Sequence, residues 1–179
     1  MAPLGLVGYA NSQGGFSKNA QDMYIRRAKG GVGLITVGLI ANDYEDLGEG
    51  SVPCAIHDPL GFRNSAAAML EQIHAYGTKA ICMITAGSGR SSFPGASQKM
   101  WAPSPATNRF DPKLKHRAMT HAEIERLIQD FVKSAVICQQ SGFDGIEIHA
   151  VHEGYLLDQF AMALFNQRND EFGGNLENR

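Results

Sequence analysis

Seven consecutive residues, His149-Ala150-Val151-His152-Glu153-Gly154-Tyr155, hold the densest set of chemically capable side chains in the chain. Two imidazoles and a phenol at this spacing could hydrogen-bond a carbonyl oxygen and deliver a proton. A tyrosine with an ordinary pKa of about 10 stays protonated near neutrality and can serve as a general acid. Two other readings stand beside this one. One histidine could be buried on backbone partners with the other exposed. Alternatively, His149, His152 and Glu153 could ligate the metal of a metal-dependent hydrolase, although the order is not His-Glu-x-x-His and no aspartate follows at a diagnostic spacing.

A second group is weaker. Ala86-Gly87-Ser88-Gly89-Arg90-Ser91-Ser92 is rich in glycine and serine, and its amides could cradle an anion beside Arg90. It matches neither a Walker loop nor a dinucleotide fingerprint, so a mobile surface loop is the plainer expectation. Trp101-Ala102-Pro103-Ser104-Pro105 could give a pocket an aromatic wall or simply anchor a loop. Cys54, Cys82 and Cys138 have no Cys-x-x-Cys spacing, which supports neither a redox pair nor an iron–sulfur site. Cys82, inside an apolar run, reads as core.

The elements that must position these groups follow one pattern: a helix-like stretch, a glycine, then a short apolar run. Arg27-Ala28-Lys29-Gly30-Gly31 leads into Val32-Gly33-Leu34-Ile35-Thr36-Val37-Gly38. Ala75-Tyr76-Gly77 leads into Lys79-Ala80-Ile81-Cys82-Met83-Ile84-Thr85, and Ser141-Gly142 leads into Asp144-Gly145-Ile146-Glu147-Ile148-His149. A glycine just past a helix takes the left-handed conformation that closes the last turn. Short apolar runs without strict alternation read as strands buried on both faces of a parallel sheet. Helices are expected over 17–29, from the Asp58-Pro59 cap to about Tyr76, after the Thr120-His121-Ala122-Glu123 capping box, and over 156–165. Behind that box, Ile124, Leu127, Ile128, Phe131, Ala135 and Cys138 fall on one helical face.

Strands alternating with helices predict an α/β architecture in which the strand ends carry the site. His149 is then at the C-terminal end of its strand. Residues 39–57 and 86–119 read as long irregular loops, and 1–179 as one domain. Counting a strand over residues 1–6, the chain offers at most four strands, too few for a closed eight-stranded barrel of about 250 residues, so it reads as a compact open sheet or as part of a barrel.

Composition narrows the function classes. Sixteen basic and eighteen acidic residues, net charge -2, with no basic run, predict no nucleic-acid or anionic-membrane partner. No stretch approaches the roughly 18 apolar residues of a membrane helix. No basic region precedes the apolar N-terminal residues, and an odd number of scattered cysteines suits a reducing cytoplasm.

Three motifs together resemble the Old Yellow Enzyme family of NADH:flavin oxidoreductases. They are Gly142-Phe143-Asp144-Gly145-Ile146-Glu147-Ile148-His149, Gly154-Tyr155-Leu156-Leu157-Asp158-Gln159-Phe160, and Asn166-Gln167-Arg168-Asn169-Asp170-Glu171-Phe172-Gly173-Gly174-Asn175-Leu176-Glu177-Asn178-Arg179. His-Ala-Val-His-Glu-Gly-Tyr is most similar to the 2-enoate and 2,4-dienoyl-CoA reductase branch. The resemblance implies a TIM (β/α)₈ barrel, here about its first four β/α units, with FMN on its C-terminal face and NAD(P)H as reductant. It implies an ene-reductase acting on the C=C bond of an α,β-unsaturated carbonyl, acid or thioester, or an inactive piece of one. By the same resemblance His149 and His152 hold the substrate oxygen and Tyr155 protonates the α-carbon. Pro3, Leu4 and Gly38 contact the flavin, and Met83 stands where the family carries a flavin-binding glutamine. The longer branch adds iron–sulfur cysteines and an FAD domain, neither of which this sequence contains. A partial barrel is also expected to self-associate or to assemble with the missing half.

Overall fold

A computed structural model describes residues 1–4, 8–42, 51–95, 99–150, 152 and 154–179. Three parallel strands form its centre: β1 (Leu34–Ala41), β2 (Lys79–Thr85) and β6 (Gly145–Ile148), in the order β1-β2-β6. Residues 1–4 run beside β1, where the amide of Thr36 donates to the carbonyl of Met1 at 3.0 Å. The expected first strand is therefore present as an extended flank, and residues 5–6 of it lie outside the described residues. A register shift between Val37 and Ile40 interrupts the β1–β2 ladder.

Helices α1 (Lys18–Lys29), α2 (Pro59–Ala75) and α3 (His121–Ser141) cover one face. Their starts follow from the caps: Ser17 accepts from the Ala20 amide and Asp58 from Gly61. Thr120 and Glu123 form the expected reciprocal box. Two of the closing glycines are left-handed as expected, Gly77 at φ +75° and Gly142 at φ +100°. After α1 the left-handed residue is Gly31 rather than Gly30.

Strand parity sorts the side chains. Ile35 and Val37 of β1, with Ala80, Cys82 and Ile84 of β2, pack against Tyr24, Phe62, Met69, Leu70, Ile73 and Cys138 of the helices. The alternate residues of β2, Met83 and Thr85, therefore face the opposite side, together with Glu147 and His149.

Four expectations need correction. β6 is not buried on both faces: Ile146 is 38% and Ile148 61% exposed, on the helix-facing side that α3 covers only in part. Ile128 is likewise exposed, in line with Val132 and Val136 on the outer side of α3. Residues 86–119 are not irregular throughout. They hold a three-residue 3₁₀ turn (Gly89–Ser91) and a small sheet of β3 (Trp101–Ala102), β4 (Ala106–Thr107) and β5 (Lys115–Ala118), ordered β3-β5-β4. Short strands with polar outer residues lack the apolar runs that mark β1 and β2. Buried His116 anchors this sheet: its Nδ1–H donates to the Trp101 carbonyl at 3.1 Å, and Nε2 accepts from the Asn108 side-chain amide at 3.2 Å. Finally, the last helix, α4, spans only Leu156–Ala161, and the chain turns extended at Met162. There the Asn166 side-chain amide donates to the carbonyls of Phe160 and Phe172, tying the next turn in place of further helix. No helix among the described residues is long and apolar enough to cross a membrane.

Candidate active site

At the C-terminal ends of β1, β2 and β6 lies a cavity of about 370 Å³ lined by Pro3, Leu39, Met83, Glu147, His149, Ala150, His152 and Tyr155. That volume is within the usual range of small-molecule sites. One side is apolar (Pro3, Leu39, Met83) and the other polar. Met83 and Glu147 are register partners across the β2–β6 ladder, and the His149 amide extends that ladder by donating to Ile84 at 2.8 Å.

His149 is buried, with its two ring nitrogens engaged. Nδ1 lies 3.1 Å from the Thr85 hydroxyl oxygen, and Nε2 lies 2.8 Å from Nδ1 of His152. Thr85 Oγ1 also accepts from the Gly87 amide at 3.2 Å. Burial, and then the neighbouring imidazole of His152, hold the His149 pKa below its ordinary value, while the Asp158 charge acts in the other direction. Tyr155 completes a triangle, its ring 5.1 Å from that of His149 and 5.2 Å from that of His152.

The turn carrying His152 and Tyr155 is built on two residues of α4. One oxygen of Asp158 accepts from the amides of His152 (2.7 Å), Gly154 (3.0 Å) and Tyr155 (3.2 Å). Gln159, fully buried, donates to the carbonyls of Ser88 and Gly154 and accepts from the Arg90 amide. Gly89, at φ +51°, leaves room for it: a Cβ there would lie 2.6 Å from Gln159 Nε2.

These contacts overturn the mobile-loop expectation for residues 86–92. Ser88, Ser91 and Ser92 are buried, Ser91 donates to the Gly154 carbonyl, and Arg90 turns away to the Thr107 carbonyl and the Phe165 ring. Trp101 sits among Lys99, Arg117 and the β5 backbone and does not line the cavity. The motif from Asn166 onward also braces the fold: Arg168 donates to the carbonyls of Pro103 and Met119 and pairs with Asp170.

The structure thus brings together His149, His152, Tyr155, Pro3 and Met83. Leu4 is half exposed and absent from the cavity lining, and Gly38 stands one residue behind it, with Leu39 lining instead. Gly38 is held by Tyr24, whose hydroxyl accepts from its amide and donates to its carbonyl, both at 3.3 Å. Glu153, proposed as a metal ligand, lies outside the described residues. Among the described residues, no group of three or more His, Cys, Asp or Glu side chains is placed to hold a metal. Thr85, Glu147, Leu39, Asp158 and Gln159 are new to the site. Counting two residues on from Met83 and two back from His149 would have found the first two.

The family model described as NADH:flavin oxidoreductase / NADH oxidase matches residues 1–179. The chain is 46% identical to the cinnamate reductase of Clostridium sporogenes, covering all of this chain and 27% of that protein. It is 34% identical to the NADPH dehydrogenase of Bacillus velezensis, covering 51% of it. In structure it resembles the old yellow enzyme homologue of Zymomonas mobilis, with a TM-score of 0.83 and 29% identity over 99% of this chain and 51% of the other. Morphinone reductase in complex with tetrahydroNAD shares the fold at a TM-score of 0.83. The chain therefore spans from about a quarter to about half of the length of these relatives.

Proposed function

We propose, from the premise that the chain belongs to the NADH:flavin oxidoreductase / NADH oxidase family, that it carries the substrate-facing part of an FMN-dependent ene-reductase. The observation that carries this reading is the convergence of His149, His152 and Tyr155 on one cavity with an apolar opposite wall. That wall of Pro3, Leu39 and Met83 suits a flat aromatic ring system, so the cavity fits the isoalloxazine of FMN. When bound, the flavin supplies hydride drawn from NAD(P)H.

The residues present do the rest. His149 and His152 each turn an N–H toward the carbonyl or carboxylate oxygen of an α,β-unsaturated substrate, which replaces the 2.8 Å contact between them. These bonds stabilise the negative charge that develops on that oxygen. Tyr155 delivers its hydroxyl proton to the α-carbon. The similarity to a cinnamate reductase favours an unsaturated acid or its thioester. The partly open helix-facing side of β6 suits assembly with a complementary half-barrel, and three buried thiols suit a reducing cytoplasm.

Purified chain mixed with FMN, NAD(P)H and an aryl enoate tests this reading. Bound-flavin absorbance, with alkene reduction lost and flavin reduction retained in Tyr155→Phe, is the expected result. A protein that takes up no flavin, alone or with a complementary half-barrel, overturns it.

A further inference from the structure

His152, Gly154 and Tyr155 belong to a tight turn, in which the Tyr155 amide also donates to the His152 carbonyl at 3.1 Å. The three amides each point at the same atom, Asp158 Oδ2, at 2.7, 3.0 and 3.2 Å. An ionised carboxylate is acceptor-only, which matches three converging donors. Asp158 is itself buried at 6% exposure, so its charge is poorly screened by water.

We propose that Asp158 is the positioning residue of the site: its carboxylate shapes the turn that presents His152 and Tyr155, and its charge acts on the buried His149 imidazole beside that turn. This rests on reading those residues as the substrate-facing set. Among the described residues, the groups around His149 are Thr85 from β2, Glu147 from β6, His152 and Tyr155 from the turn, and Asp158 from α4. Two are carboxylates. Only Asp158 bonds the turn, so it alone couples the shape of the site to its charge. A protonated His149 carries an N–H on both ring nitrogens, whereas the neutral ring carries one. Removing the charge while keeping the acceptor should therefore separate the two effects.

The test uses the chain without flavin. Imidazole nitrogen shifts are followed by NMR across pH, and backbone amide exchange is measured at residues 152, 154 and 155. In Asp158→Asn the three amides should stay protected while the His149 titration midpoint moves down. In Asp158→Ala both should change. Glu147→Gln controls for the other carboxylate and should leave amide protection intact. An unmoved midpoint in Asp158→Asn, or intact protection in Asp158→Ala, overturns the proposal. If Asp158→Ala does not fold, by far-UV circular dichroism, the Asp158→Asn midpoint decides. Flavin uptake is read separately from the visible spectrum, so its failure counts against the ene-reductase reading and not against this one.

Discussion

The hydroxyl oxygen of Thr85 lies 3.1 Å from His149 Nδ1, although 64 residues separate them. The contact exists because both occupy the same side of adjacent parallel strands at their C-terminal ends. A neutral imidazole has one N–H. His149 must therefore donate along one of its two bonds, to Thr85 or to His152, and accept along the other. The Thr85 hydroxyl, able to donate or to accept, thus controls how the ring is held with its Nε2 against His152.

Replacing Thr85 by valine keeps the shape of the side chain and removes that control. A lost hydrogen bond of about 1.4 kcal/mol corresponds to a tenfold change. Thr85→Val should lower kcat/KM for alkene reduction about tenfold, with flavin reduction by NAD(P)H unchanged, as stopped-flow measurement of the two half-reactions would check.

Met83 lines the cavity, and a thioether is a weak acceptor and no donor. Met83→Gln should tighten FMN binding about tenfold, a gain of about 1.4 kcal/mol from one added hydrogen bond. Fluorescence titration reads this directly; equal or weaker affinity would count against a flavin ring seated beside β2.

Burial, with smaller contributions around it, raises the Tyr24 phenol to about 12. Its hydroxyl serves both backbone groups of Gly38, so Tyr24→Phe leaves a buried amide and a buried carbonyl without that partner. Each such group costs about 1–3 kcal/mol. The variant should unfold at lower urea concentration, and flavin affinity should fall with it, because Leu39 on the cavity wall follows Gly38 directly.

At the opposite end of the sheet, burial pushes the Asp144 carboxyl up. The Ala80 amide, Lys79 and His74 outweigh it and bring the carboxyl down to about 2 from its ordinary 3.8. The folded state thus prefers the ionised group. This contribution is fully present above pH 3.8 and is lost as pH falls toward about 2. Asp144→Asn should lower stability at neutral pH and flatten the stability–pH curve between those limits, measured by denaturant unfolding at each pH.

Much of this arrangement is legible in the sequence because it depends on local chemistry. Thr120 with Glu123 fixes the start of α3, and glycines after Tyr76 and Ser141 fix the ends of α2 and α3. The apolar runs mark β1 and β2, and His149, His152 and Tyr155 announce themselves by type and spacing. What escapes depends on distant partners. The burial of Ser88 and Ser91 goes with partners far along the chain, Gln159 and the Gly154 carbonyl, and the small β3-β5-β4 sheet is held by His116 and Asn108 rather than by an apolar pattern. The exposure of Ile146 and Ile148 escapes too, since an apolar strand looks the same whether or not something covers it.

The closeness of Gly38 to Met83 carries a consequence for how the sequence can drift. A Cβ at position 38 would stand 2.8 Å from Met83 Cβ and 3.1 Å from its carbonyl oxygen. The obstructing atoms are a Cβ and the backbone, which any residue but glycine supplies at position 83. Position 83 can therefore drift in side-chain chemistry while position 38 stays bare. A larger residue at 38 is tolerated only after the β1–β2 spacing yields, whatever side chain stands at 83.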